Sequence, residues 1–287
     1  MPNTGATTLR TLGVGGAFSR RYGTTCAMLT LSSGERWLID CGRQAPDQLH
    51  DAGITWHDLA GQIITHVHGD HVFGLEDFAF GRFYESRGDV ASIVSGGPQP
   101  DLVVHSAVRE EVWSTLYASL RYHKLGDNPT AGTLNTYFNV CDPVAVEPPA
   151  DNEWNHSESF VAGGTRITAR ESEHVPGKPS CSLEISIEAE GDRMAWWSGD
   201  CTVDADYLAS IEARTSIFFH DCTFVEYPGQ VHGAFSLLRT LPESIRHKMV
   251  LMHHEDNIES HRAEAEALGF RVAMPGDTWD LLTGQRA

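Results

Sequence analysis

The sequence predicts an α/β fold, a four-layer αββα sandwich in which two mixed sheets pack face to face with helices outside. Three observations point there. The first half of the chain is mostly short apolar strands. The second half alternates strand and helix. His and Asp residues recur where predicted strands end, and no compositional boundary, repeat or low-complexity stretch divides residues 1–287, so one domain is expected.

Each element follows from its local pattern. Thr8 to Val14 reads as a first strand, and the glycines after it lack phosphate-loop spacing, so they form a turn. Thr25 to Leu31 and Arg36 to Asp40 are strands joined by the hairpin signal Ser32-Ser33-Gly34-Glu35. Pro46 to Ala52 and Trp56 to Leu59 are short helices. Gln62-Ile63-Ile64-Thr65 is β-branched and apolar, a buried strand. Phe73 to Phe83 is helical, residues 85–100 form a glycine-rich loop, and Asp101 to His105 is a strand. Val108, Val112, Leu116 and Leu120 mark one helix face. Residues 121–142 contain Gly126, Pro129 and Gly132 before Tyr137-Phe138, and read as an insertion, a candidate lid. Tyr137 and Phe138 are either a substrate-stacking pair there or core residues.

The second half continues with strands at Phe160-Val161, Arg166 to Arg170, Cys181 to Ala189 and Arg193 to Trp197. A helix over Ala205 to Ala213 precedes an apolar strand, Ser216 to His220. His232 to Leu241 is a predicted helix, Met249 to Met252 a strand, and Ile258 to Leu268 a helix. Arg271 to Ala273 and Trp279 to Leu282 close the chain as strands.

Composition narrows the function. The net charge is −18, the opposite of the basic excess that a binder of long nucleic acid uses against phosphates. An acidic cytoplasmic enzyme acting on a small molecule fits better. No apolar run reaches the roughly 18 residues of a membrane span, and Met1 to Ala6 shows no secretory pattern. The six cysteines lack C-x-x-C spacing and read as reduced thiols.

The chemistry concentrates in Thr65-His66-Val67-His68-Gly69-Asp70-His71, where four metal-capable side chains sit on a strand-to-helix turn. His66 and His68, two apart on extended backbone, point the same way. Asp70 and His71 enter the first helical turn and face a second point, a geometry suited to two adjacent metal ions. His174, Asp200, Asp221 and His253 follow at later strand ends. Buried carboxylates without partners are costly, so their clustering implies cations. Imidazole with carboxylate suits zinc, with manganese or iron as alternatives. Other readings stand beside these. His174 is a ligand or a surface residue, Asp200 a ligand or a helix N-cap. His253 competes with His254, which points to the opposite face. His220 either backs the site or simply ends a strand, and Cys201 and Cys222 read as small buried residues.

His66-Val67-His68-Gly69-Asp70-His71 followed by His174, Asp200 and His253 resembles the metallo-β-lactamase superfamily across nearly the whole chain. The resemblance implies one metal held by His66, His68 and His174, a second by Asp70, His71 and His253, and Asp200 between them. Ser198-Gly199-Asp200-Cys201, His220-Asp221-Cys222-Thr223-Phe224 and His232 look like the branch of tRNase Z and cyclic-nucleotide phosphodiesterases. That likeness implies that His232 acts on the phosphate and that a carboxylate, Asp221 here and Glu in most relatives, orients it. It also implies a homodimer. The tRNA-gripping arm of tRNase Z has no room between His174 and Asp200, which two strands fill.

The expected function is therefore dinuclear metal-dependent hydrolysis of a cyclic nucleotide or other small phosphodiester, with Asp70 orienting the attacking water and His232 as acid. Hydrolysis of a lactone, thioester or β-lactam, a tRNase Z-like nuclease and a non-catalytic metal-binding module are the alternatives.

Overall fold

Runs of buried apolar residues set two sheets in the computed structural model, which describes residues 5–84, 99–125, 128–148, 156–187 and 192–287. In chain order the strands are β1 (Thr8–Gly13), β2 (Cys26–Thr30), β3 (Arg36–Ile39), β4 (Gly61–Ile64), β5 (Asp101–Val104), β6 (Tyr122–Leu125), β7 (Asn128–Ala131) and β8 (Asn139–Val140). They continue as β9 (Ala145–Glu147), β10 (Ser157–Ala162), β11 (Thr165–Glu171), β12 (Cys181–Ser186), β13 (Met194–Trp197), β14 (Thr215–Asp221), β15 (Met249–Met252), β16 (Arg271–Val272) and β17 (Thr278–Asp280).

The first sheet has the order β17-β1-β2-β3-β4-β5-β8 and the second β16-β15-β14-β13-β12-β11-β10-β9. Each is antiparallel on one side and parallel on the other. β3, β4, β5 and β8 run parallel in the first, and β13 to β16 in the second. The carboxyl ends of β3, β4, β13, β14 and β15 gather at one rim of the sandwich, where open α/β folds place ligands. Side chains of both sheets share one continuous core, with Leu29, Trp37, Phe160, Trp197 and Phe219 fully buried.

The helices are α1 (Ala45–Asp51), α2 (Gly69–Val72), α3 (Leu75–Tyr84), α4 (Ser106–Leu120), α5 (Leu134–Tyr137), α6 (Ala205–Ile211), α7 (Phe235–Leu238), α8 (Glu243–Arg246) and α9 (Arg262–Ala267). α4 buries Val108, Val112, Leu116 and Leu120, the expected stripe. Each such side chain contributes about 2 kcal/mol by leaving water. None of the described helices is long and apolar enough to cross a membrane.

Two helix boundaries need correction, and the two readings of Tyr137 and Phe138 are decided. Tyr137 and Phe138 are core residues, the favoured of the two readings, and not a stacking lid. They are 1% and 0% exposed, and the Tyr137 hydroxyl donates to the Leu120 carbonyl at 2.8 Å. The 121–142 segment carries an antiparallel hairpin and then β8, which completes the first sheet. The helix expected from His232 starts only at Phe235, so His232 stands in the preceding loop. The helix expected over Ile258 to Leu268 is split, a 3-10 turn at Ile258–Ser260 preceding α9. Most of the glycine-rich loop 85–100 lies outside the described residues. All six cysteines are free thiols.

Candidate metal centre

β4 ends at Ile64, and the next turn carries the cluster into α2. His68 sits extended just before α2, and its carbonyl accepts the His71 amide at 2.9 Å. This puts His66 and His68 on one side of the turn, and Asp70 and His71 on the other. Gly42 permits the approach of the neighbouring loop, since a Cβ there would lie 1.8 Å from the Asp70 carbonyl oxygen.

Two groups of side chains result, with Asp200 common to both: His66, His68, His174 and Asp200, and Asp70, His71, Asp200 and His253. In each, one donor atom per residue lies within 4.8 Å of the others. All are buried except His68, which is half-buried. Asp200 is 2% exposed, and its carboxylate reaches His71 Nε2 at 3.2 Å, His253 Nε2 at 3.2 Å and His66 Nε2 at 3.8 Å. It is not the N-cap of α6. Asp204 takes that role by accepting the Tyr207 amide at 3.0 Å.

The rings are aimed by partners behind them. His174 Nδ1 donates to the Val231 carbonyl at 2.9 Å, so Nε2 presents its lone pair to the group. His71 Nδ1 donates to Asp40 at 2.8 Å, and His253 Nδ1 faces Asp221 at 3.5 Å. Such partners fix tautomer and ring orientation in metal sites. Asp40 also accepts the Thr65 amide and hydroxyl, tying the end of β3 to the start of the cluster. Among the described residues, Asp40 and His253 are the non-glycine residues with positive φ, 59° and 55°. Backbone of this kind costs on the order of 1–3 kcal/mol and persists where surrounding contacts hold it.

The residues fit cations. The ring nitrogens of His66 and His174 each approach His68 Nδ1, at 3.1 and 3.2 Å. Facing lone pairs repel unless a proton or cation stands among them. His71 Nε2 and Asp200 Oδ1 are buried without a hydrogen-bond partner, although they lie 3.2 Å apart. A metal ion would satisfy both atoms.

Charge is split between the two groups. Burial lowers His66 well below the usual imidazole range, His68 to about 4, and His174 in the same direction. For His71 and His253 burial also acts downward, but Asp200 with Asp40 or Asp221 prevails and raises both well above that range. Burial would raise Asp70 and Asp200; the adjoining His71 and His253 hold both far below the usual carboxylate range.

Beside these groups His232 Nδ1 donates to Asp221 Oδ2 at 2.7 Å. Asp221 thus serves two histidines, His232 through Oδ2 and His253 through Oδ1. Burial acts to lower His232, but Asp221 overcomes it and raises the imidazole above its ordinary value. His220 does not join the group: its Nδ1 donates to the Asp221 carbonyl at 2.7 Å and its ring packs on Trp196. His254 also turns away, donating to the Ala273 carbonyl at 3.2 Å and meeting the Tyr22 ring edge-on. Cys201 and Cys222 are buried thiols outside both groups.

A cavity of about 430 Å³ opens over His232 and His253, lined also by Phe18, Val225, Tyr227 and Gln230. Phe18 is 92% exposed and Tyr227 52%. Sequence reasoning missed these side chains and Asp40. The only signal was an Asp directly after the apolar Trp37-Leu38-Ile39.

The two packed mixed sheets and the His/Asp groups at their rim define a metallo-β-lactamase-fold protein with a candidate metal centre. The same fold occurs in YhfI from Bacillus subtilis (TM-score 0.66, 16% identity, 96% of this chain and 99% of that one). It also occurs in the short form of human tRNase Z (TM-score 0.61, 17% identity, 96% and 99%). The family model for Anti-Pycsar protein Apyc1 matches residues 7–274, and the chain belongs to that family. An Anti-Pycsar protein Apyc1 of Bacillus phage BSP38 is 31% identical, over 96% of this chain and 98% of the relative. One from Paenibacillus harenae is 30% identical, over 95% and 99%.

Proposed function

We propose that the chain is a dinuclear metal-dependent phosphodiesterase that cleaves a cyclic nucleotide or another small phosphodiester. The observation that carries this reading is the His232–Asp221 pair, 2.7 Å apart beside the two metal-capable groups. Hydrolysis of a lactone or thioester has no need of a second, cationic proton donor there. The name of the family relatives, Anti-Pycsar protein, is compatible with a cyclic-nucleotide-degrading activity.

His66, His68 and His174 would hold one divalent cation, Asp70, His71 and His253 a second, and Asp200 would serve both. Zinc suits this set of imidazoles and carboxylates, and manganese or iron share part of the preference. Bound there, two such ions supply Lewis-acid polarisation of a phosphoryl group and acidify water. Asp70, kept ionised by His71 and His253, orients the attacking water. His232, with Nδ1 fixed on Asp221, turns Nε2 toward the cavity. Protonated, it neutralises charge on the equatorial oxygens or donates to the leaving oxygen. The exposed rings of Phe18 and Tyr227 offer faces for a base. The cavity volume fits a small ligand, and the net charge of −18 opposes a long polyanion.

The test is turnover of bis(p-nitrophenyl) phosphate and a panel of nucleoside 3′,5′-cyclic monophosphates, beside a lactone and a thioester, by zinc-loaded and chelator-treated protein. Phosphodiester cleavage that needs metal is expected. Cleavage of the lactone or thioester with every phosphodiester intact would replace this reading by carbonyl hydrolysis.

A pH dependence of metal loading also follows. His66, His68 and His174 are neutral without metal, so a cation there displaces no proton near neutrality. His71 and His253 carry protons that a cation must expel, so affinity at that group falls as pH drops below their raised pKa values. Calorimetric zinc titration of metal-free protein should resolve two steps at this centre, with the larger proton release in the second. At about pH 6 the second step weakens and the first persists. Two steps with equal proton release would contradict the assignment.

A further inference from the structure

We infer that His105, His156 and Glu171 form a separate, structural divalent-cation site that fastens one sheet to the other. His105 follows β5 in the first sheet and stands immediately before α4. His156 directly precedes β10 and Glu171 ends β11, both in the second sheet. None of the three belongs to the groups around Asp200.

The donor set and its spacing are those of a metal site. One donor atom from each residue lies within 4.8 Å of the other two. The His105 and His156 rings stand 4.3 Å apart between centroids. His156 Nδ1 meets Glu171 at 2.9 Å, and its amide donates to the same oxygen at 3.1 Å. Two imidazoles and a carboxylate are a familiar zinc set, with a fourth position open to water.

A second observation points independently to a ligand. His105 is fully buried, and its Nε2 has no hydrogen-bond partner among the described residues. A buried ring nitrogen left bare beside a carboxylate and another imidazole is costly unless something is bound there. Glu158 adds negative charge next to the group. It is 3% exposed, lies 3.7 Å from His156 Nε2, and accepts the Ser106 amide at 2.9 Å.

Binding changes one local contact. Nδ1 of His105 accepts the Ala107 amide at 3.2 Å. Ligation through Nε2 moves the ring proton to Nδ1 and gives up that long bond, while Glu158 still holds the Ser106 amide at the start of α4.

The test is zinc content per chain after chelation, reloading with Zn²⁺ alone and gel filtration. Wild type should carry one equivalent more than His156→Ala or Glu171→Gln. Asp200→Ala should retain that equivalent and still gain thermal stability on adding zinc, a gain lost in Asp200→Ala/His156→Ala. Glu171→Gln keeps shape and volume, so it reports even where His156→Ala fails to fold. Equal zinc content in wild type, Glu171→Gln and any folded His156→Ala overturns the proposal and leaves a hydrogen-bonded staple without metal.

Discussion

Asp200→Ala is expected to abolish phosphodiester turnover, by on the order of 10³-fold or more, and to strip the centre of its cations. The Asp200 carboxylate faces both groups of side chains at once. Its two oxygens face His71 and His253 at 3.2 Å, with His66, His232 and His174 at 3.8 to 4.0 Å. Removing it takes the shared anion from both groups at once. Loss of an outer hydrogen-bond partner alone weakens metal affinity roughly 10–100-fold, and a shared ligand should cost more. The cost is also electrostatic. His71 and His253 keep their raised pKa values largely through Asp200, so both should titrate lower in the variant. Metal analysis, turnover of bis(p-nitrophenyl) phosphate and histidine titration by NMR check the three parts. Unchanged metal content with unchanged turnover would remove Asp200 from the centre.

Much of this was legible because it is local. The His66 to His71 cluster sits within one turn, so its convergence follows from the strand before it and the helix after it. Met249 to Met252 is a continuous apolar run and forms a strand with those bounds. That His253 and His254 point apart follows from local geometry at a strand end, whereas the preference for His253 comes from the apolar run before it and the family resemblance. The face taken by His254, against Tyr22 and the Ala273 carbonyl, is set by residues far away in sequence.

What was not legible depends on contacts between distant segments. Asp40 reaches His71 and Thr65 because β3 and β4 run parallel side by side. No pattern near Asp40 announces that neighbour. The start of α7 was misplaced for a related reason. The Thr223 amide donates to the Gly233 carbonyl at 2.9 Å, and the Phe235 amide donates to the Thr223 carbonyl at 3.0 Å. These bonds hold Gly233 and Ala234 beside the end of β14, with Ala234 extended, and override local helical preference. At Gly233 a Cβ would lie 2.2 Å from the Asp221 carbonyl oxygen, so this approach requires glycine. The same packing presses His232 against Asp221, where a helix beginning at His232 would have turned it elsewhere. Tyr137 and Phe138 sit in a glycine- and proline-interrupted stretch without periodicity, where core packing is the favoured reading over a lid, and both are buried.

His232→Ala is expected to lower phosphodiester turnover by roughly 10²- to 10³-fold while metal content stays at its wild-type level. The imidazole is a quarter exposed and lines the cavity, so its truncation opens space at a wet surface and leaves the core packed. On the proposed function, what is lost is a cationic ring that can donate a proton or stabilise charge. Asp221 raises the His232 pKa above its ordinary value, so the ring is protonated at lower pH and loses its proton as pH climbs through that raised value. Wild-type turnover should therefore fall on the alkaline side with an apparent pKa above that of a free imidazole, and the variant should lack that limb. A substrate whose leaving group needs no proton separates the two roles available to the ring. If His232 protonates the leaving oxygen, a p-nitrophenolate ester should be nearly insensitive to the substitution and a cyclic nucleotide strongly sensitive. If it stabilises the equatorial oxygens, both should suffer alike. Equal turnover of both substrates by wild type and variant would take His232 out of the chemistry, and with it the feature that separates phosphodiester cleavage from carbonyl hydrolysis at this centre.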